Sequence, residues 1–225
     1  MHGILYGVGV GPGDPRLMTF LAADTIKKCP VLAVPARIKE QAVSYRIAQG
    51  LLPEIDKKEC LALAVPMTKD RAVLNAAYEQ AADRVEEQLK AGKDVACLTL
   101  GDPTVYSTYI YLHRIMKDRG YETQIINGVP SFCAVSARLG DSLADRSEQL
   151  HIIPSAYGVE EALSLPGTKV LMKAASKMET VKKTLQDQNA DAVMVENCGM
   201  ENEIIYRGTE QIPDKAGYYS LIVVK

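Results

Sequence analysis

Tryptophan is absent from this 225-residue chain and phenylalanine occurs only twice, so 11 tyrosines supply nearly all of its aromatic surface. A tyrosine-dominated inventory puts a hydroxyl on almost every ring. Each ring then has a flat face to stack and a polar tip to satisfy. A basic surplus is missing too: 26 Lys and Arg stand against 28 Asp and Glu, for a formal net charge of −2. A chain that neutralises many phosphates normally carries a basic excess, so the balance speaks against nucleic acid as a partner. No apolar run approaches the roughly 18 residues of a membrane span. His2-Gly3-Ile4-Leu5-Tyr6 leads straight into a strand pattern with no basic segment or cleavage site, so a cytoplasmic protein without a membrane partner is expected.

Cysteine is sparse and scattered. Cys29, Cys60, Cys97, Cys133 and Cys198 are odd in number and contain no C-x-x-C pair. That pattern gives neither a disulfide framework nor zinc spacing, so reduced thiols and no protein-bound metal are expected. Two nucleotide-binding patterns are lacking as well. G-x-G-x-x-G fails because Pro12 or Asp14 stands where its last glycine belongs, and the P-loop fails because Gly92-Lys93 is followed by Asp94.

What is present is an alternation of apolar runs and helical stretches. Runs at 3–10, 31–34, 61–65, 95–100 and 123–126 read as strands covered on both faces, because they are continuous rather than alternating. Between residues 68 and 92, Leu74, Tyr78, Ala81, Val85 and Leu89 recur at steps of three and four, and Gly92 supplies a stop. Strand and helix in alternation predict an α/β layer with a parallel sheet. The second half differs. Strands are expected at 149–153, 169–172, 192–195, 203–206 and 218–224, with one clear helix at 177–188. The last two strands have no helix between them and are expected to pair antiparallel. Two α/β domains follow, 1–128 with a mainly parallel sheet and 129–225 with a mixed one.

One device recurs at three strand ends: Gly7-Val8-Gly9-Val10-Gly11-Pro12-Gly13-Asp14-Pro15, then Gly101-Asp102-Pro103-Thr104-Val105-Tyr106, then Gly128-Val129-Pro130-Ser131-Phe132. Asp is a good N-cap and Pro a good first helical residue, so Gly-Asp-Pro is expected to open helices. Tyr106 and Tyr109 would then share a face of the helix after Asp102. Glycine also lets backbone approach a ligand, and in open α/β sheets ligands settle beyond the carboxyl ends of the strands. Two aspartates in these loops would repel a pyrophosphate. A ligand of positive character fits them better.

These three loops, with Leu17-Met18-Thr19 and a closing Val195-Glu196-Asn197, resemble the tetrapyrrole (corrin/porphyrin) methyltransferase family. The stretch from Leu100 to Tyr109, with Ala137-Arg138-Leu139-Gly140, is similar to the branch that methylates carbon 20 of precorrin-2 or its cobalt form. The chain departs from the family at Leu21-Ala22-Ala23 and at Lys28-Cys29-Pro30. The resemblance implies a homodimeric S-adenosylmethionine (SAM) enzyme whose cofactor lies between two domains. It implies that Gly101, Asp102, Pro103, Val105 and Tyr106 line one side of SAM. Ser131 and Phe132 would contact its methionine and adenosine parts, and Met172 and Asn197 would close on the adenine. Pro12, Gly13 and Asp14 would face the tetrapyrrole. Its carboxylates call for local cations after strand ends, and Arg16, Arg37 and Lys69 are the candidates. Asp102 and Tyr106 are candidates for a weak catalytic base. Methylation of another ring carbon, or a module that holds SAM or a tetrapyrrole without catalysis, remains an open alternative.

Overall fold

The computed structural model describes residues 2–66, 68, 70–154 and 158–225, and the chain divides into two compact units, Met1–Pro130 and Ser131–Lys225. In the first, β1 (Leu5–Gly9), α1 (Phe20–Lys28), β2 (Val31–Val34), α2 (Val43–Leu51), β3 (Glu59–Ala62), α3 (Arg71–Lys90), β4 (Val95–Thr99), α4 (Tyr109–Asp118) and β5 (Thr123–Ile126) follow in order. The strands lie β3-β2-β4-β1-β5 and every neighbouring pair is parallel, as the continuous apolar runs predict.

Side chains alternate across the sheet. Tyr6, Val8, Leu32, Val34, Ala96 and Leu98 pack with Ile26 of α1 and with Tyr45 and Ala48 of α2. Leu5, Val31, Ala33, Val95 and Cys97 pack with Val85 and Leu89 of α3 and with Leu112 and Met116 of α4. Each large apolar side chain removed from water in these layers contributes about 1.5–3 kcal/mol. The helix expected at 68–92 is α3. Asp70 caps it by accepting from the Ala72 and Val73 N–H groups, and its predicted stripe is buried from Tyr78 to Leu89. Within β1, Gly7 is required by packing: a Cβ there would lie 2.0 Å from the Tyr109 ring. Tyr109 is buried, and its hydroxyl donates to the Gln124 carbonyl at 3.0 Å.

The second unit contains α5 (Ser131–Leu139), β6 (Leu150–Pro154), α6 (Val159–Leu163), β7 (Thr168–Met172), α7 (Met178–Asp187), β8 (Ala192–Glu196), β9 (Ile204–Arg207) and β10 (Ser220–Val224). Its sheet is mixed, ordered β6-β7-β10-β8-β9. β6 and β7 are parallel, and the other neighbours are antiparallel. Met178, Val181 and Leu185 of α7 pack on Leu171, Met194, Ile222 and Val224. The expected pairing of the last two strands is overturned. β9 pairs with β8, while β10 inserts between β7 and β8. The reason is burial: all five residues of β10 are buried, as a central strand requires, whereas β9 has exposed ends and takes the edge. No helix among the described residues is long and apolar enough to cross a membrane.

Candidate active site

The loops leaving β4, β1 and β5 emerge side by side, because these three strands are neighbours in the first sheet. Gly11 and Gly101 form a small antiparallel bridge: the Gly101 N–H donates to the Gly11 carbonyl at 2.8 Å, and the return bond is 3.3 Å. A Cβ on Gly9 would stand 2.6 Å from the Gly101 oxygen, and one on Gly128 would stand 2.2 Å from that same oxygen. Three loops thus meet backbone to backbone, at distances that only glycine tolerates.

Asp102 fastens this junction. It is buried, at 5% exposure. One carboxylate oxygen accepts from the Thr104 N–H at 2.7 Å and from the Thr104 hydroxyl. The other accepts from the Gly128 N–H at 3.0 Å and from Asn127 Nδ2 at 3.1 Å. Burial pushes the carboxyl upward, but the hydrogen bonds from Thr104, Asn127 and Gly128 outweigh it and hold the group below its ordinary value. The carboxylate is therefore ionised, and both oxygens are engaged. Asn127 and Thr19 belong to the same junction, since the Thr19 hydroxyl donates to the Asn127 carbonyl at 3.3 Å and also caps α1. Thr19 belongs to the Leu17-Met18-Thr19 segment of the family resemblance, but the sequence assigns neither residue a role. The Asn127-Gly128 dipeptide, a turn signal, was the clue available.

The expectation that Gly-Asp-Pro opens α-helices is corrected. Asp14 caps only a single 3-10 turn, Pro15–Leu17, and α1 has Thr19 as its cap. After Asp102 the chain loops as far as Thr108, and α4 begins at Tyr109. Tyr106 and Tyr109 therefore share no helical face. Tyr106 sits in the loop, 47% exposed, with φ +48°, a left-handed conformation costly for a bulky residue. Tyr111 stacks on Tyr78 with 5.1 Å between centroids, and Tyr109 is in the core.

The remaining candidates of this unit scatter by exposure. Gly101 and Pro103 are buried and Val105 is partly so, while Pro12 and Gly13 are buried beside the exposed Arg16. Arg16 grips Asp14 with two nitrogens, Nε at 3.0 Å and a terminal nitrogen at 2.6 Å from the same oxygen. Hydrogen bonds from the Arg16 side chain and backbone hold the Asp14 carboxyl below its usual range. Arg37 is exposed just beyond β2, and Lys69 lies outside the described residues.

The second unit carries its own candidate edge. β7 and β8 both run antiparallel to β10, so their carboxyl ends lie along one edge of the sheet. Met172 ends β7 and Asn197 follows β8; both are partly buried. Lys173 and Asn197, the residues directly after β7 and β8, have φ of +58° and +53°, left-handed like the φ of Tyr106. Burial lowers the Lys173 amine. The Asn197 N–H donates to the Tyr219 carbonyl at 3.0 Å, tying the turn to the start of β10. Ser131 and Phe132 open α5, with Phe132 buried. Among the described residues, no group of three or more His, Cys, Asp or Glu side chains is arranged to hold a metal ion.

The chain as a whole matches known proteins. Residues 4–213 fit the model of the tetrapyrrole (corrin/porphyrin) methylases. A protein of Methanocaldococcus jannaschii named "Probable cobalt-precorrin-2 C(20)-methyltransferase" is 32% identical over 98% of this chain and 95% of its own length. The cobalt-precorrin-2 C(20)-methyltransferase of Salmonella typhimurium is 31% identical over all of this chain and 97% of its own. The fold matches that of uroporphyrin-III C-methyltransferase from Thermus thermophilus, solved with S-adenosylhomocysteine, at a TM-score of 0.72 and 20% identity over 99% of this chain and 97% of that one. With the family pattern spanning nearly its whole length and three glycine loops at the ends of β1, β4 and β5, the chain belongs to the tetrapyrrole (corrin/porphyrin) methylase family.

Proposed function

We propose that this protein transfers a methyl group from SAM to carbon 20 of precorrin-2 or of its cobalt-loaded form, a step of cobalamin biosynthesis. The observation that carries this reading is full-length similarity at 31–32% identity to two proteins named for that reaction. A precorrin-4 C(11)-methyltransferase of Rhodococcus erythropolis, at 28% over 91% of this chain, is the less similar type. Cobalt, where present, arrives with the substrate.

The first unit's loop junction suits such a ligand. It is a platform of backbone and of the small or apolar residues Gly101, Pro103 and Val105, with no phosphate-binding turn. In this reading Gly101, Asp102, Pro103, Val105, Tyr106, Ser131, Phe132, Met172 and Asn197 bind SAM. Pro12, Gly13, Asp14, Arg16, Arg37 and Lys69 face the tetrapyrrole. Bound SAM supplies an electrophilic methyl group on a sulfonium. The conjugated acceptor is itself the nucleophile, so the protein's work is orientation and exclusion of water. Asp102 acts here as the clamp of the junction rather than as a base, because its oxygens are engaged and its proton affinity is low. Tyr106, in its left-handed loop, is the residue we assign to the reacting groups. The enzyme works as a cytoplasmic homodimer, without nucleic acid or membrane.

Anaerobic incubation with SAM and either precorrin-2 or its cobalt form is expected to give a product one methyl heavier, with the new group at carbon 20. A methyl at another carbon makes it a sister enzyme. SAM binding without transfer to either substrate overturns catalysis altogether.

A further inference from the structure

The turn after β8 is held from outside by a carboxylate that no motif singles out. Residues 197–203 fold back on themselves: the Met200 N–H donates to the Asn197 carbonyl at 2.9 Å, and the Glu203 N–H donates to the Met200 carbonyl at 3.1 Å. Within this loop Asn197 and Gly199 both adopt positive φ, +53° and +77°. Only the second is a glycine; asparagine visits this region more readily than other side chains do, and hydrogen bonds support it there, among them Asn197 Nδ2 donating to the Asn202 carbonyl at 3.4 Å. Part of that support is Glu203. Its Oε2 accepts the Gly199 N–H at 2.8 Å, its Oε1 accepts from Arg138 Nε in the last turn of α5, and the Cys198 thiol also hydrogen-bonds to it. The Glu203 side chain is only 12% exposed, while Arg138 is 59% exposed. Burial raises the Glu203 carboxyl, and the bonds from Gly199 and Arg138 more than offset it, so the group is ionised.

We infer that Glu203 is a positioning residue for the methyl donor: by joining the 197–199 turn to α5 it fixes the left-handed Asn197 backbone. This rests on the proposed role of Asn197 in SAM binding. Two segments proposed to touch the donor meet at this one carboxylate, because α5 begins with Ser131 and Phe132 and carries Arg138 near its other end. A Gln at 203 keeps the size and an acceptor for Gly199 but loses the ionic bond to Arg138.

The test measures steady-state constants for SAM and for the tetrapyrrole separately. Glu203→Gln is expected to raise KM for SAM about tenfold, the scale of one charge-assisted hydrogen bond. KM for the tetrapyrrole and kcat should change far less. Arg138→Ala, at an exposed position that leaves folding intact, should reproduce the effect, Arg138→Lys should restore part of it, and the double variant should be no worse than either single one. An unchanged KM for SAM in Glu203→Gln and Arg138→Ala, or equal losses toward both substrates, overturns the inference. Failure of the wild-type protein to bind SAM would instead sink the proposed function.

Discussion

A single carboxylate can serve as base or as brace, and Asp102 shows how the two are told apart. A base needs a free lone pair and a proton affinity near the working pH. Asp102 offers neither, since four donors from Thr104, Asn127 and Gly128 occupy it. Its charged form is what holds three loops together, so Asp102→Asn should weaken both the fold and the junction. The Asn amide would point a donor at a site already lined with donors. About 1–3 kcal/mol of stability should be lost at neutral pH, measured by chemical denaturation. The pH dependence has a definite sign. Because the folded-state carboxyl is depressed below 3.8, its stabilisation is complete above that value and is lost as pH falls through the lower folded one. Wild type and variant should therefore converge in stability under strong acid. A constant gap down to that range would refute the clamp.

Elements were legible where burial dictated their residues, and less so where order in space did. The continuous apolar runs of β1, β2 and β4 announced strands covered on both faces, and the α3 stripe announced its helix. Spatial order left a fainter mark. β10, Ser220 to Val224, is apolar or small throughout and fully buried, whereas Ile204–Arg207 has exposed ends and lies at the edge, and adjacency in sequence does not decide which strands pair. The loops misled for a different reason. Asp-Pro starts helices well, and one Asp102 oxygen does accept from the Thr104 N–H, but the other is held across the junction by Asn127 and Gly128 and the chain runs on as a loop, so α4 starts at Tyr109 instead. That displacement puts the Tyr109 ring against Gly7, joining α4 to β1 and, through its hydroxyl, to β5. Tyr109→Phe keeps the ring and removes the hydroxyl's bonds to the Gln124 carbonyl at 3.0 Å and to His113 Nδ1 at 3.4 Å. A loss of about 0.5–1.5 kcal/mol is expected by denaturant titration, with the SAM constants unchanged. A large change in SAM affinity would mean that the hydroxyl does more than fasten the element.

For the molecule as a whole, a charge of −2 must coexist with a substrate bearing several carboxylates. Net charge sets no long-range attraction for an anion, so any cationic help has to be local and short in reach. Two of the proposed contacts differ in what they can give. Arg16 is already held by Asp14 through two nitrogens, so a substrate carboxylate must compete with that pair. Arg37, exposed after β2, meets no such competition from an ion pair among the described residues. Screening separates these contributions from the proposed SAM contacts, whose charged member Asp102 is buried and so screened less, because the Debye length shrinks from about 10 Å at 0.1 M salt to about 3 Å at 1 M. Raising the salt should therefore increase KM for the tetrapyrrole while leaving KM for SAM nearly flat. Arg37→Ala should raise the tetrapyrrole KM at low salt and flatten its salt dependence, and Arg16→Ala should raise KM at low salt as well, because it leaves Asp14 an unpaired anion beside an anionic substrate. If both variants keep the wild-type salt slope, the cations that meet the substrate lie elsewhere on the chain.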